Sequence, residues 1–189
     1  MKLLCLIVAA FSLAAAGQTS FRASDSYEDL IEGGTVHTLA VDAGREHLVA
    51  RVPRGYAATV DNESQSVVFK ENTGRIAITM RVTTNSPGVM PDDDTLRGLA
   101  LAINPNENFL QLSTCATGYK PARFVDSIHS LDPFRRIRSR HAFVACPEGI
   151  VEFIFSAKDE AFDEGRVAFS LFLSSFRVEM IKEPVKPPA

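Results

Sequence analysis

The sequence predicts an α+β domain, an antiparallel β-sheet flanked by helices. Three observations carry this. Ile76, Ile78, Met80 and Val82 alternate with polar or smaller residues, the pattern of a half-buried strand. Leu96, Leu99, Ala100 and Ile103 fall at i, i+3, i+4 and i+7, one apolar stripe of a helix. Turn-forming clusters separate the alternating runs: Asp61-Asn62-Glu63-Ser64, Asn72-Thr73-Gly74 and Pro147-Glu148-Gly149.

Taken from the start, Met1-Lys2 precedes an apolar run from Leu3 to Ala16 and then Gly17-Gln18-Thr19-Ser20. A short positive start, an apolar stretch and small residues describe a secretory signal peptide. Ala14 and Ala16 place the cut before Gly17, so residues 1–16 are expected to leave on export. The run is short of the ~20 apolar residues of a comfortable membrane span, although retention as an anchor is the rival reading. Cys5 stands near the start of the run and not after it, so lipidation is not expected. No second long apolar run follows, and no membrane span is expected after cleavage.

Residues 17–44 are expected to be a mobile lead-in and residues 45–182 the single domain. His47 to Pro53 places Leu48, Ala50 and Val52 on one side of a strand, and Tyr56 to Val60 is a second short strand. Residues 66 to 82 read as a β-hairpin around Asn72-Thr73-Gly74. Pro91-Asp92-Asp93-Asp94-Thr95 opens a helix, because acids favour the positive helix start, and Asn104-Pro105 ends it. The aspartate triplet is read as this helix start, since carboxylates without spaced partners do not define a cation site. Strands are expected over Phe109–Thr117, Ala122–Ser130, Phe134–Cys146 and Ile150–Ala157. Asp159 to Val178 fits both periods: Val167, Phe169, Leu171 and Leu173 alternate, while Ala168, Leu171, Phe172 and Ser175 fit a helix face. Residues 183–189 form a proline-rich tail.

The formal net charge is −3, and no concentrated positive field of the kind that binds nucleic acid is visible. Cys115 and Cys146 are the two cysteines outside the leader. In an oxidising compartment two cysteines usually pair, so a structural disulfide is expected, with two free buried thiols as the alternative. A redox pair is disfavoured, because there is no Cys-x-x-Cys spacing.

The order of elements has a further likeness. An opening strand ends in Val52-Pro53-x-Gly55-Tyr56, then come a hairpin, a short acid-led helix and a Gly118-x-x-Pro121-Ala122 turn. A long hairpin follows, and the chain closes on Phe-Leu-Ser-Ser-Phe-Arg-Val at residues 172–178. Over about residues 45 to 180 this resembles the PsbP-like fold family, which includes PsbP, DcrB and LpqN-type lipoproteins. The resemblance implies one antiparallel sheet flanked by helices, with the final helix running into a short strand that bears a Ser-Phe pair, here Ser175-Phe176. It therefore implies a helix from Asp159 to about Ser174. It also implies an accessory or protein-binding role without chemistry, and it supplies no catalytic residue to carry over. A plastid role is not implied, because the leader lacks a plastid-type extension.

Candidate chemistry is sparse. His37, His47, His129 and His141 have no ligand spacing such as His-x-His, and a zinc site needs three or four converging ligands. No Gly-x-Ser-x-Gly elbow and no phosphate-cradling loop occur. No catalytic residue, metal or cofactor is expected. Asn62-Glu63-Ser64 matches a glycosylation acceptor and is read as chance.

The most unusual run is Arg135-Arg136-Ile137-Arg138-Ser139-Arg140-His141. In a strand, Arg136, Arg138 and Arg140 share one face. They are read either as a solvated sheet edge, guarded by cations against unwanted pairing, or as a docking stripe for an acidic protein or for anionic lipid or polysaccharide. The expectation is a monomeric, exported, non-enzymatic accessory or binding module, periplasmic or secreted, whose partner is an envelope or secreted protein. The rivals are a carrier of a small apolar ligand, on the strength of its many phenylalanines, and a hydrolase with a dispersed site.

Overall fold

The computed structural model describes residues 21–29, 34–83, 88–103, 108–132 and 135–181. The expected leader at 1–16, Asn104-Pro105, Phe134 and the proline-rich tail at 183–189 lie outside the described residues.

The alternating runs become antiparallel strands. In chain order they are β1 (Phe21–Asp29), β2 (Thr35–Ala43), β3 (Glu46–Arg51), β4 (Tyr56–Asp61), β5 (Ser66–Glu71) and β6 (Ile76–Thr83). Helix α1 (Asp93–Ile103) follows, then β7 (Asn108–Cys115), β8 (Ala122–Asp132), β9 (Arg135–Cys146) and β10 (Gly149–Lys158). A 3-10 turn (Asp159–Ala161) leads into α2 (Phe162–Ser175), which runs directly into β11 (Arg177–Met180). The chain is therefore mostly antiparallel β-structure with two helices among the described residues.

The strands form two sheets and not the single one expected. One has seven strands in the order β4-β5-β6-β10-β9-β8-β7, the other four in the order β1-β2-β3-β11. The second sheet recruits residues expected to be a mobile lead-in. β2 buries Leu39, Val41 and Ala43 on its inner face, a period-two pattern diluted by Thr38, Ala40 and Asp42. β1 pairs along its whole length with β2, although only Phe21 and Ala23 of it pack against the core. Backbone hydrogen bonds hold a polar strand once a neighbour with a buried face is in place.

The main core lies between the two sheets and α2. α2 turns Phe162, Phe169, Phe172 and Leu173 inward, a helical period that the alternation reading obscured. Phe172 meets Phe69 and Phe153 edge-on, with ring centroids 5.0 and 5.6 Å apart, and Phe176 meets Phe153 at 4.8 Å. Such offset contacts add to the burial of large aromatic area. A smaller core on the other face of the large sheet sets Leu96 and Ala100 of α1 against Val125, Phe143 and Ile150. The Asp92 carboxylate accepts the Thr95 N–H at 2.8 Å, an N-cap contact at the helix start read from that triplet.

Candidate functional site

The arginine run does not form a free stripe. Arg136, Arg138 and Arg140 share a face of β9 as expected, but β9 is an interior strand between β8 and β10, not an edge. Arg140 donates two hydrogen bonds to Asp126 on β8, both 2.6 Å long, and its guanidinium stands 4.8 Å from the Phe124 ring centroid. The two side chains are only 13% and 7% exposed, so this is a buried ion pair. The hydrogen bonds to Asp126 hold the Arg140 guanidinium above its ordinary pKa. Arg138 lies over the Phe162 ring at 4.1 Å and 3.7 Å from Asp159. Of the three, Arg136 alone is exposed. The α2 side of the sheet has absorbed the other two.

The opposite face of β9 buries a second network. His141 Nδ1 lies 2.8 Å from Glu152 Oε1, and Arg81 donates to Glu152 Oε2 at 2.7 Å. His141 and Glu152 are 0% and 1% exposed, so with Arg81 the network joins β9, β10 and β6 within the fold. His37 lies 2.6 Å from Asp25 and stacks on Tyr27 across β1 and β2. His47 lies 2.6 Å from Asp42. Among the described residues no three His, Cys, Asp or Glu side chains are grouped to hold a metal.

The expected disulfide is not formed: Cys115 and Cys146 are free thiols. Cys115 ends β7 and Cys146 ends β9, with β8 between them. Two strand spacings are about 9–10 Å, beyond the ~7 Å that a disulfide spans between Cα atoms. Burial pushes the Cys146 thiol up to about 12 and raises Cys115 as well, which leaves both short of thiolate character. Burial also raises the carboxyl of Glu46, whose Oε1 accepts the Glu148 N–H at 3.0 Å.

A concave surface lies beside the C-terminal half of α2. It is a groove of about 650 Å³. Ala168, Leu171 and Phe172 of α2 form an apolar wall, and Arg51, Arg54 and Arg177 also line it. Each arginine is placed by a different element. Arg51 ends β3 and Arg177 begins β11. Arg54 sits in a turn closed by Tyr56 N–H to Pro53 C=O at 3.1 Å, with Gly55 at φ +79°, the left-handed position such a turn reserves for glycine.

Gly118 secures the end of α2 against the neighbouring loop. Its N–H donates to Leu173 C=O at 3.0 Å. A Cβ there would lie 2.4 Å from Ser174 O and 2.6 Å from Phe176 O, so only glycine fits. Ser175 Oγ accepts the Arg51 N–H at 3.0 Å and donates to Phe172 C=O at 2.7 Å, which ties β3 to the same helix end. Leu171 is 67% exposed and Val167, one turn earlier, 63%. Among the described residues no carboxylate lines the groove.

Sequence reasoning missed this site, because its residues come from positions 51–54, 118, 168–175 and 177. The one local signal was the pair Val167 and Leu171, apolar residues left over once α2 is read as a helix facing inward through Phe169 and Phe172. The phenylalanines that suggested a ligand carrier are instead packed on one another in the core.

No family model matches the chain, and no curated protein matches it. Among solved structures it is similar to a crystal structure from Bacteroides thetaiotaomicron VPI-5482, at 11% identity and a TM-score of 0.41 over 72% of this chain. The chain spans 46% of the length of that structure.

Proposed function

We propose that the chain is an exported, non-enzymatic binding module that presents the α2 groove to a partner protein of the cell envelope or the extracellular space. The observation that carries this reading is the groove itself: exposed Leu171 beside three arginines that have no carboxylate among the groove-lining residues. Two arginines inside the sheet are instead paired, Arg140 with Asp126 and Arg81 with Glu152. Solvent-exposed apolar side chains grouped with unpaired charge mark interaction sites more often than scattered ones do. The proposal moves the docking surface from β9, where the sequence suggested it, to α2.

A carrier of a small apolar ligand fits less well. Such sites are lined predominantly by apolar side chains, whereas three arginines line this groove. The PsbP-like resemblance is retained as part of the proposal. α2 passes through Ser175-Phe176 into the short strand β11, and helices pack on both faces of the seven-stranded sheet. The four-stranded sheet is the departure from it.

The test is a photo-crosslinking residue placed at Leu171 in the native host, with Val60 on the far edge strand as control. A discrete protein adduct at 171 and none at 60 is the expected result. Identical adducts at both positions, or none at either, would sink the proposal.

A further inference from the structure

The groove is mixed in character, and each half limits what can fill it. Arg51, Arg54 and Arg177 converge from three segments on a surface where no described residue supplies a lining carboxylate, in a chain whose net charge is −3. The positive field is therefore local. The C-terminus of a helix would ordinarily oppose it with a negative end, but here that end is bonded. Leu173 C=O accepts the N–H groups of Gly118 and Phe176. Leu171 C=O accepts the Ser174 hydroxyl at 2.8 Å, and Phe172 C=O the Ser175 hydroxyl. Carboxylates suit the arginines, whose planar forks grip them at two points. A purely ionic ligand would leave the groove's Leu171 in water, so the occupant also has a large apolar side chain.

We infer that the groove takes an acidic, amphipathic segment of a partner protein, with one large apolar residue seated on α2 and carboxylates on either side of it held by the arginines. This rests on the groove being the docking site, as proposed above, and adds the chemistry of what docks. A bilayer surface fits less well. The apolar wall is the side of a concave groove of about 650 Å³, and buried Phe172 at its base is beyond the reach of a flat surface.

The experiment is selection of a display library of random short peptides on the purified chain. Fluorescence titration of enriched peptides against the wild type, Leu171→Asp, and Arg51→Glu with Arg177→Glu follows. Vesicles of phosphatidylcholine with phosphatidylglycerol are tested for co-sedimentation in parallel. Enriched peptides should carry acids around one bulky apolar residue. Their binding should weaken about tenfold or more on charge reversal and fall as salt screens the arginines. Selection of neutral or basic peptides, no selection at all, affinity indifferent to the arginines, or arginine-dependent vesicle binding in place of peptide binding would each overturn the inference. A crosslink at position 171 that persists alongside such a result would leave the groove as the docking site and remove only its preference for acids. Loss of both would remove the groove.

Discussion

Two groups of arginines divide the molecule between them, and their fates are opposite. The group on β9 is dense in the sequence, yet Arg140 is locked onto Asp126 and Arg138 lies over Phe162. The group around α2 is dispersed in the sequence, yet Arg51, Arg54 and Arg177 meet in one exposed groove. The difference lies in what stands across from each. β9 is an interior strand with a carboxylate on its neighbour at the right register, Asp126 opposite Arg140. The groove arginines sit at strand ends and a turn, where no facing strand supplies one. Density of charge along a chain thus says little about its availability.

The sharpest way to break this comparison is to remove one partner of the buried pair. Arg140→Ala leaves the Asp126 carboxylate buried and unpaired, and should cost about 3–5 kcal/mol of unfolding free energy in urea titration. Replacing both partners, Arg140→Met with Asp126→Leu, should restore most of that loss, because the desolvation cost goes with the charges. If Arg140→Ala is as stable as wild type, the pair is not the buried lock described here. An intermediate effect is expected at the groove's support. Gly118→Ala pushes a methyl group into two backbone carbonyl oxygens and should cost about 1–3 kcal/mol, with loss of the crosslink at position 171. The smallest effect belongs to the exposed group. Arg51→Glu with Arg177→Glu should leave unfolding within about 0.5 kcal/mol of wild type. A large loss there would mean that these arginines also hold the fold, and the contrast between the two groups would collapse.

Most of the large sheet was legible in the chain. Ile76, Ile78, Met80 and Val82 alternate because β6 is covered on one face only, and the turn at Asn72-Thr73-Gly74 set the hairpin with β5. α1 was legible from Leu96, Leu99 and Ala100 together with the acids that open it. α2 was ambiguous, since Val167, Phe169, Leu171 and Leu173 alternate, and only packing shows that the odd-numbered set mixes buried with exposed side chains. β1 was not legible, because a polar strand owes its conformation to β2 and not to its own pattern. The disulfide expectation failed for a related reason. Cysteine count carries no register, and register put β8 between the two thiols. The groove was hidden because it is made by tertiary convergence of residues more than a hundred positions apart.

The position of β11 has a kinetic consequence. The last strand of the described chain completes the four-stranded sheet, pairing Arg177 with Val49 and Met180 with Glu46, and Ile181 N–H bonds Arg45 C=O at 2.9 Å. The β5–β6 and β9–β10 hairpins can form early from local contacts. β11 instead reaches β3 only by closing a loop that spans most of the chain, and pairings of that range slow folding. During synthesis β3 therefore carries an open hydrogen-bonding edge until α2 and β11 have followed it.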